Sequence, residues 1–209
     1  PRFATRAKML WDDEYFYIAA DLQEPQVWAT LTERDATIYR DNDFEVFIDP
    51  DGDTHLYYEF EINAHGTEWD LLLVKPYRDG APYLNAWDIG GLQTAVQVWG
   101  TINAPGDVDQ GWSVEMAFPW KVLKEAWSER RQPIAGQVWR VNFSRVQWQV
   151  EVEDGAYVKI EGRAADNWVW SPQGLVNMHF PEQWGFVQFA DMEVGGDEVP
   201  FLEPPQEEA

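Results

Sequence analysis

Cysteine is absent from the 209 residues. That excludes disulfides, thiolate metal sites and a cysteine nucleophile. It does not place the chain in a reducing compartment, because a domain of this size folds without staples. Basic residues are few, 15 against 37 acidic ones, for a net charge of −22. Nucleic-acid binding rests on Lys and Arg neutralising phosphates, so it is excluded. Anionic membrane surfaces and polyanionic glycans go with it. Neutral ligands and cations remain, and so does a salt-adapted protein whose acidity only keeps it soluble. No apolar run reaches the length of a membrane span. Serine is scarce, with no Gly-x-Ser-x-Gly elbow, and no glycine-rich phosphate loop precedes a helix. The three histidines, His55, His65 and His179, lack the spacing of a helical zinc site.

Aromatic residues are abundant: 13 Trp, 11 Phe and 8 Tyr. They serve a large core or a ligand surface, since Trp keeps its N–H near a partner or water. The dominant pattern has a period of two. Phe16, Ile18 and Ala20 alternate with Tyr15, Tyr17 and Asp21. Phe44, Val46 and Ile48 alternate with Glu45, Phe47 and Asp49. Tyr58, Phe60 and Ile62 alternate with Glu59, Glu61 and Asn63, and Trp112, Val114, Met116 and Phe118 with Ser113, Glu115 and Ala117. Further strands are expected near Met9, Val96, Val141 and Val187. Turn chemistry separates them, as at Pro50-Asp51-Gly52-Asp53 and Glu153-Asp154-Gly155. The expectation is an all-β antiparallel sandwich of the immunoglobulin or jelly-roll kind.

One short helix interrupts it. Pro119 suits a first turn, Val122, Leu123, Ala126 and Trp127 follow helical spacing, and Pro133 with Gly136 ends the run. Residues 1–190 are expected to form one domain, and the acidic, proline-bearing stretch 191–209 a tail or linker. The chain opens directly on strand-like sequence, which predicts a longer precursor and a shortened first strand.

Glu45, Glu59, Glu61 and Glu115 stand on strands, where glycosidases also place carboxylate pairs. Their alternation with core positions predicts a solvated outer sheet face. Asp49, Asp51 and Asp53 crowd around one turn, either a hairpin with solvated charges or a calcium site, since calcium takes several hard oxygens. They do not follow the twelve-residue calcium loop.

The stretch Asp41-Asn42-Asp43-Phe44-Glu45-Val46-Phe47-Ile48-Asp49 resembles the acidic strand of carbohydrate-binding module family 9. Lys8 through Ile18 is similar to that family's early hairpin, and Phe60-Glu61-Ile62-Asn63 to its next strand. Gly111 through Trp120, Arg140 through Arg145, and Trp170-Ser171 through Trp184-Gly185 extend the likeness over roughly residues 6–190. The resemblance implies a non-catalytic β-sandwich with structural calcium. It implies a slot between two aromatic rings that binds a neutral saccharide at a chain end.

In that likeness Tyr39 takes the place of one sandwiching Trp, Glu45 that of the strand carboxylate, and Asn63 that of a strand Asn. Glu61 stands where an Arg is expected, Met178 where the second Trp is expected, and Leu175 near an expected Asn. A rearranged site is therefore expected from Tyr39, Glu45, Glu61, Asn63, Trp148 and His179, with Trp69, Trp168 and Asn177 nearby. Calcium is expected at Asp49, Asp51 and Asp53. A spacer module without a sugar site stays open. So does a haem domain of a related sandwich, using His65 or Met178-His179. The family likeness implies an extracellular, periplasmic or cell-surface setting on a glycan-degrading parent.

Overall fold

The computed structural model describes residues 1–80, 82–123 and 132–192. Strands β1 (Thr5–Trp11) and β2 (Tyr15–Gln23) form a hairpin closed by Asp12, whose Oδ1 accepts the N–H groups of Glu14 and Tyr15. Strands β3 (Asp43–Asp49), β4 (Tyr57–Asn63), β5 (Glu68–Leu73) and β6 (Tyr83–Leu84) then run as an antiparallel meander. Strands β7 (Gln93–Trp99) and β8 (Gly111–Pro119) return to the hairpin, giving a first sheet ordered β1-β2-β8-β7. Strand β9 (Val138–Gln147) adds beside β3. A small hairpin follows, β10 (Val150–Glu153) and β11 (Ala156–Lys159), turned by the Asp-Gly pair 154–155 with both φ angles positive. Finally β12 (Asp166–Val169) and β13 (Gly185–Gln188) pair with the two halves of β9. The second sheet is thus β12/β13-β9-β3-β4-β5-β6.

The two sheets face one another through the residues picked out by alternation. Phe16, Ile18, Ala20 and Leu22 of β2 and Trp112, Val114, Met116 and Phe118 of β8 meet Phe44, Val46 and Ile48 of β3 and Tyr58, Phe60 and Ile62 of β4. Each large apolar side chain closed off in this way contributes about 1.5–3 kcal/mol. The sandwich expected from the sequence is the fold, and β1 is present as its edge strand.

The other face of the second sheet departs from expectation. β3 and β4 are buried along their whole length, on both faces. Cross-strand register sets three rows there: Ser144-Glu45-Glu61-Trp69, Asn142-Phe47-Glu59-Leu71 and Arg140-Asp49-Tyr57-Leu73. Two segments cover them. The first, residues 24–42, includes a short 3₁₀ turn Ile38–Arg40. The second, residues 170–184, leaves the sheet after β12 and rejoins it at β13. Ile38, Phe47, Tyr57, Trp69, Leu71, Leu73 and Trp184 form a second apolar cluster under this cover. Glu45, Glu59 and Glu61 are therefore buried, whereas Glu115 on the first sheet is exposed as expected.

The helix expected after Phe118 starts as a 3₁₀ turn at Trp120–Val122. Its continuation over 124–131 lies outside the described residues, as does the tail from 193 onward. No helix among the described residues is long and apolar enough to cross a membrane.

Candidate functional site

Residues of both covering segments line a cleft of about 1080 Å³ that opens onto the rows of β3, β4 and β5. Glu45, Glu59 and Glu61 lie at its floor, and Tyr39, Trp69 and Trp148 contribute aromatic walls.

Tyr39 is placed by its backbone. Its N–H donates to Glu61 Oε2 at 2.8 Å, and its carbonyl accepts Trp148 Nε1–H at 2.9 Å. Its ring stays 44% exposed, tilted against Trp69 with centroids 6.2 Å apart. Trp69 is fixed in turn by Nε1–H donation to Asn85 Oδ1 at 2.7 Å. The Trp148 N–H donates to Asn42 Oδ1, and Lys159 Nζ lies 3.7 Å over its ring and 5.4 Å from the ring of Trp28. The walls are therefore held before any ligand arrives, which lowers the cost of binding.

The floor is chemically unusual. Glu45 and Glu61 are directly opposite on neighbouring strands, where like charges repel. Burial is the first cause that pushes up the carboxyls of Glu45, Glu59, Glu61 and Asp43; for all but Glu45, negative neighbours add to it. Glu45 is raised to about 7, partly offset by its hydrogen bond with Ser144. Burial lowers His179 to about 4, so its imidazole is neutral. Its Nδ1 is 2.9 Å from the Tyr57 hydroxyl, and its Nε2 is 4.0 Å from Glu59. A carboxyl that holds its proton more tightly than usual both donates and accepts hydrogen bonds, which suits the hydroxyls of a sugar. Oxygens of Asp43, Glu45 and Glu61 lie within 4.8 Å of one another.

The structure brings Tyr39, Glu45, Glu61, Trp148 and His179 to one cleft. Asn63 is the correction. It is fully buried behind the wall, with Nδ2 donating to Leu31 O and Asp41 Oδ2 and Oδ1 accepting the N–H groups of His65 and Thr67. It closes the β4–β5 turn and holds the segment that carries Tyr39, and it does not line the cleft. Met178 lines the cleft while packing against the second apolar cluster, and Leu175 lies exposed at the rim. Trp168 lies elsewhere, over the Arg145 guanidinium.

Glu59 and Trp69 complete the site. The sequence names Glu59 among the strand carboxylates without assigning it to the saccharide site, although its place two residues before Glu61 puts it on the same side of β4. The histidines are engaged separately: His55 with Asp53 O, His65 with Ala29 O and His179 with Tyr57. Among the described residues none of them joins a three-ligand cluster.

Asp49, Asp51 and Asp53 do converge, with oxygens within 4.8 Å. Asp49 is buried and caps the turn, accepting the N–H of Gly52 and of Thr54 at 3.0 Å each. Burial, with Asp51 adding, raises it to about 7. The all-oxygen donor set fits calcium. A second acidic cluster, Asp35, Asp70 and Asp88, already holds a cation, because the Arg34 guanidinium bonds Asp70 at 2.6 Å and Asp88 at 3.2 Å.

Comparison with known proteins agrees with this fold. The family described as "Carbohydrate family 9 binding domain-like" matches residues 1–145. An exoglucanase, XynX, of Acetivibrio thermocellus is 28% identical over 114 residues, 54% of this chain and 9% of that protein. Endo-1,4-beta-xylanase A of Thermoanaerobacterium saccharolyticum is 27% identical over 113 residues, 54% of this chain and 8% of that protein. The chain thus matches under a tenth of the length of these curated relatives. A family 9 carbohydrate binding module of Caldicellulosiruptor kristjanssonii, solved with glucose, shares the fold at 16% identity and a TM-score of 0.56. The match covers 95% of this chain and 82% of that one. The same module solved with cellotriose gives 17%, 0.55, 96% and 81%.

Proposed function

From the premise that the chain belongs to the carbohydrate family 9 binding domain-like family and is a non-catalytic carbohydrate-binding module, we propose that the cleft over Glu45, Glu59 and Glu61 is its saccharide site. The observation that carries this is one cleft with a hydrogen-bonding carboxyl floor and pre-set aromatic walls. Sugar rings present C–H faces to aromatic rings while their hydroxyls require fixed donors and acceptors. In this reading Tyr39, Trp69 and Trp148 pack on the ring, and Glu45, Glu59 and Glu61 read its hydroxyls. His179 Nε2 offers a further polar contact. Asn63 acts from behind, by holding the Tyr39 segment.

Calorimetric titration with an oligosaccharide such as cellotriose tests the assignment. Tyr39→Ala should weaken binding about tenfold or more, in line with an aromatic anchor. It should leave the fold intact, because the hydrogen bonds that place Tyr39 come from its backbone. Equal affinity before and after substitution refutes the role of Tyr39.

The module is further proposed to tether a glycan-degrading parent to its substrate outside the cytoplasm, as the matches to an exoglucanase and a xylanase suggest. Calcium is proposed at Asp49, Asp51 and Asp53, where it would neutralise a buried carboxylate and lock the β3–β4 turn. A melting temperature that falls with chelator supports it, and one that does not move removes it.

A further inference from the structure

We propose that the preferred ligand of this cleft carries a protonated amine, as in a glucosamine residue of a deacetylated amino-sugar polymer. This rests on the saccharide reading above and names the sugar class.

Glu45, Glu59 and Glu61 all line the cleft, yet among the described residues no Lys or Arg lines it. Two buried acids elsewhere do have a guanidinium: Arg34 bonds Asp70 at 2.6 Å, and Arg145, itself 1% exposed, lies 3.4 Å from Glu24. Among the described residues the cleft floor has no such partner, and the base in its lining, His179, is held neutral, with Nδ1 engaged by Tyr57. Of the cations beside the cleft, Lys159 lies over the rings of Trp148 and Trp28, and Arg78 is engaged by the His179 carbonyl and Glu182.

A second observation points the same way. Glu59 is 5% exposed and lines the cleft; its carboxyl shares a hydrogen bond with the neighbouring acid Glu61, and its buried Oε2 meets no amide, hydroxyl or cationic donor. A buried acceptor left open is costly unless a ligand fills it. An ammonium offers three donors and one positive charge to three acidic side chains. Aromatic walls also attract cations over their faces. A bare metal ion would use the oxygens and leave the walls idle, whereas a sugar-borne amine engages both. The net charge of −22 further draws cationic polymers towards the domain.

The test is calorimetric titration of the full chain, in chelator, with glucosamine trimer, N-acetylglucosamine trimer and cellotriose. The glucosamine trimer should bind at least about tenfold more tightly than either neutral trimer, the scale of one charge-assisted hydrogen bond. Glu61→Gln and Glu59→Gln should erase that preference, with melting curves confirming that each variant is folded. Cellotriose binding as tightly as glucosamine trimer overturns this proposal and leaves the saccharide reading standing. Binding of cellotriose that appears only with added calcium also overturns it, by assigning the floor to a metal. Failure of all three trimers to bind brings down both readings.

Discussion

Glu45→Gln should make the domain more stable in base and remove much of its pH dependence. Glu45 is 5% exposed, faces Glu61 directly across β3 and β4, and is raised to about 7 from the model-peptide value of 4.5. A folded-state pKa above the unfolded one means that the native state holds the proton more tightly. The stability associated with this group is therefore present below pH 4.5 and is lost as pH rises towards 7. Each pH step inside that window is worth ~1.4 kcal/mol, so the whole loss is on the order of 3 kcal/mol. Glu59 and Glu61 titrate higher partly because Glu45 is charged, and a neutral residue at 45 relieves them as well. His179 opposes the trend: held down to about 4 by burial, it gives stability that is present above pH 6.5 and lost as pH falls through 4. The decisive quantity is thus the difference between variant and wild type. Urea denaturation at pH 4.5 and at pH 8, in chelator, should show Glu45→Gln gaining about 3 kcal/mol relative to wild type between the two conditions. An identical pH profile for both proteins would refute the claim that Glu45 is a buried, proton-holding floor residue.

Two further perturbations probe how the cleft is built. Arg34→Ala strands the fully buried Asp70 carboxylate. Because Arg34 is itself 43% exposed, the loss should be about 1–3 kcal/mol, recovered in part by adding Asp70→Asn, as denaturation of the single and double variants would read. Gly111→Ala should lower stability by about 3 kcal/mol or more in a thermal melt, because φ is +141° there and a Cβ would sit 2.0 Å from the Leu22 carbonyl oxygen.

The inter-sheet core was legible because it obeys a local rule. Phe16 to Leu22, Phe44 to Ile48 and Trp112 to Phe118 alternate, and one residue of chain already says which side each takes. The Asp-Gly turn at 154–155 was legible for the same reason. The acidic rows were misread as solvated because alternation reports only that the two faces of a strand differ. Whether a polar face is wet depends on what folds over it, and here residues 24–42 and 170–184 do so with no periodic signal of their own. Tyr39 and Glu45 were reachable through the family likeness, but Asn63 shows its limit. A matching residue type on a matching strand can support the wall instead of touching the ligand. Glu59 is legible through its spacing of two residues from Glu61, whereas its acidity alone does not distinguish it from Glu115.

The peptide groups on both sides of the Tyr39 side chain are tied down, one to Glu61 and the other through Trp148. The kinetic consequence is a receptor that does not have to close on its ligand. Association should proceed as a single concentration-dependent phase with no slow conformational step. Differences among sugars should then appear in how long each one stays.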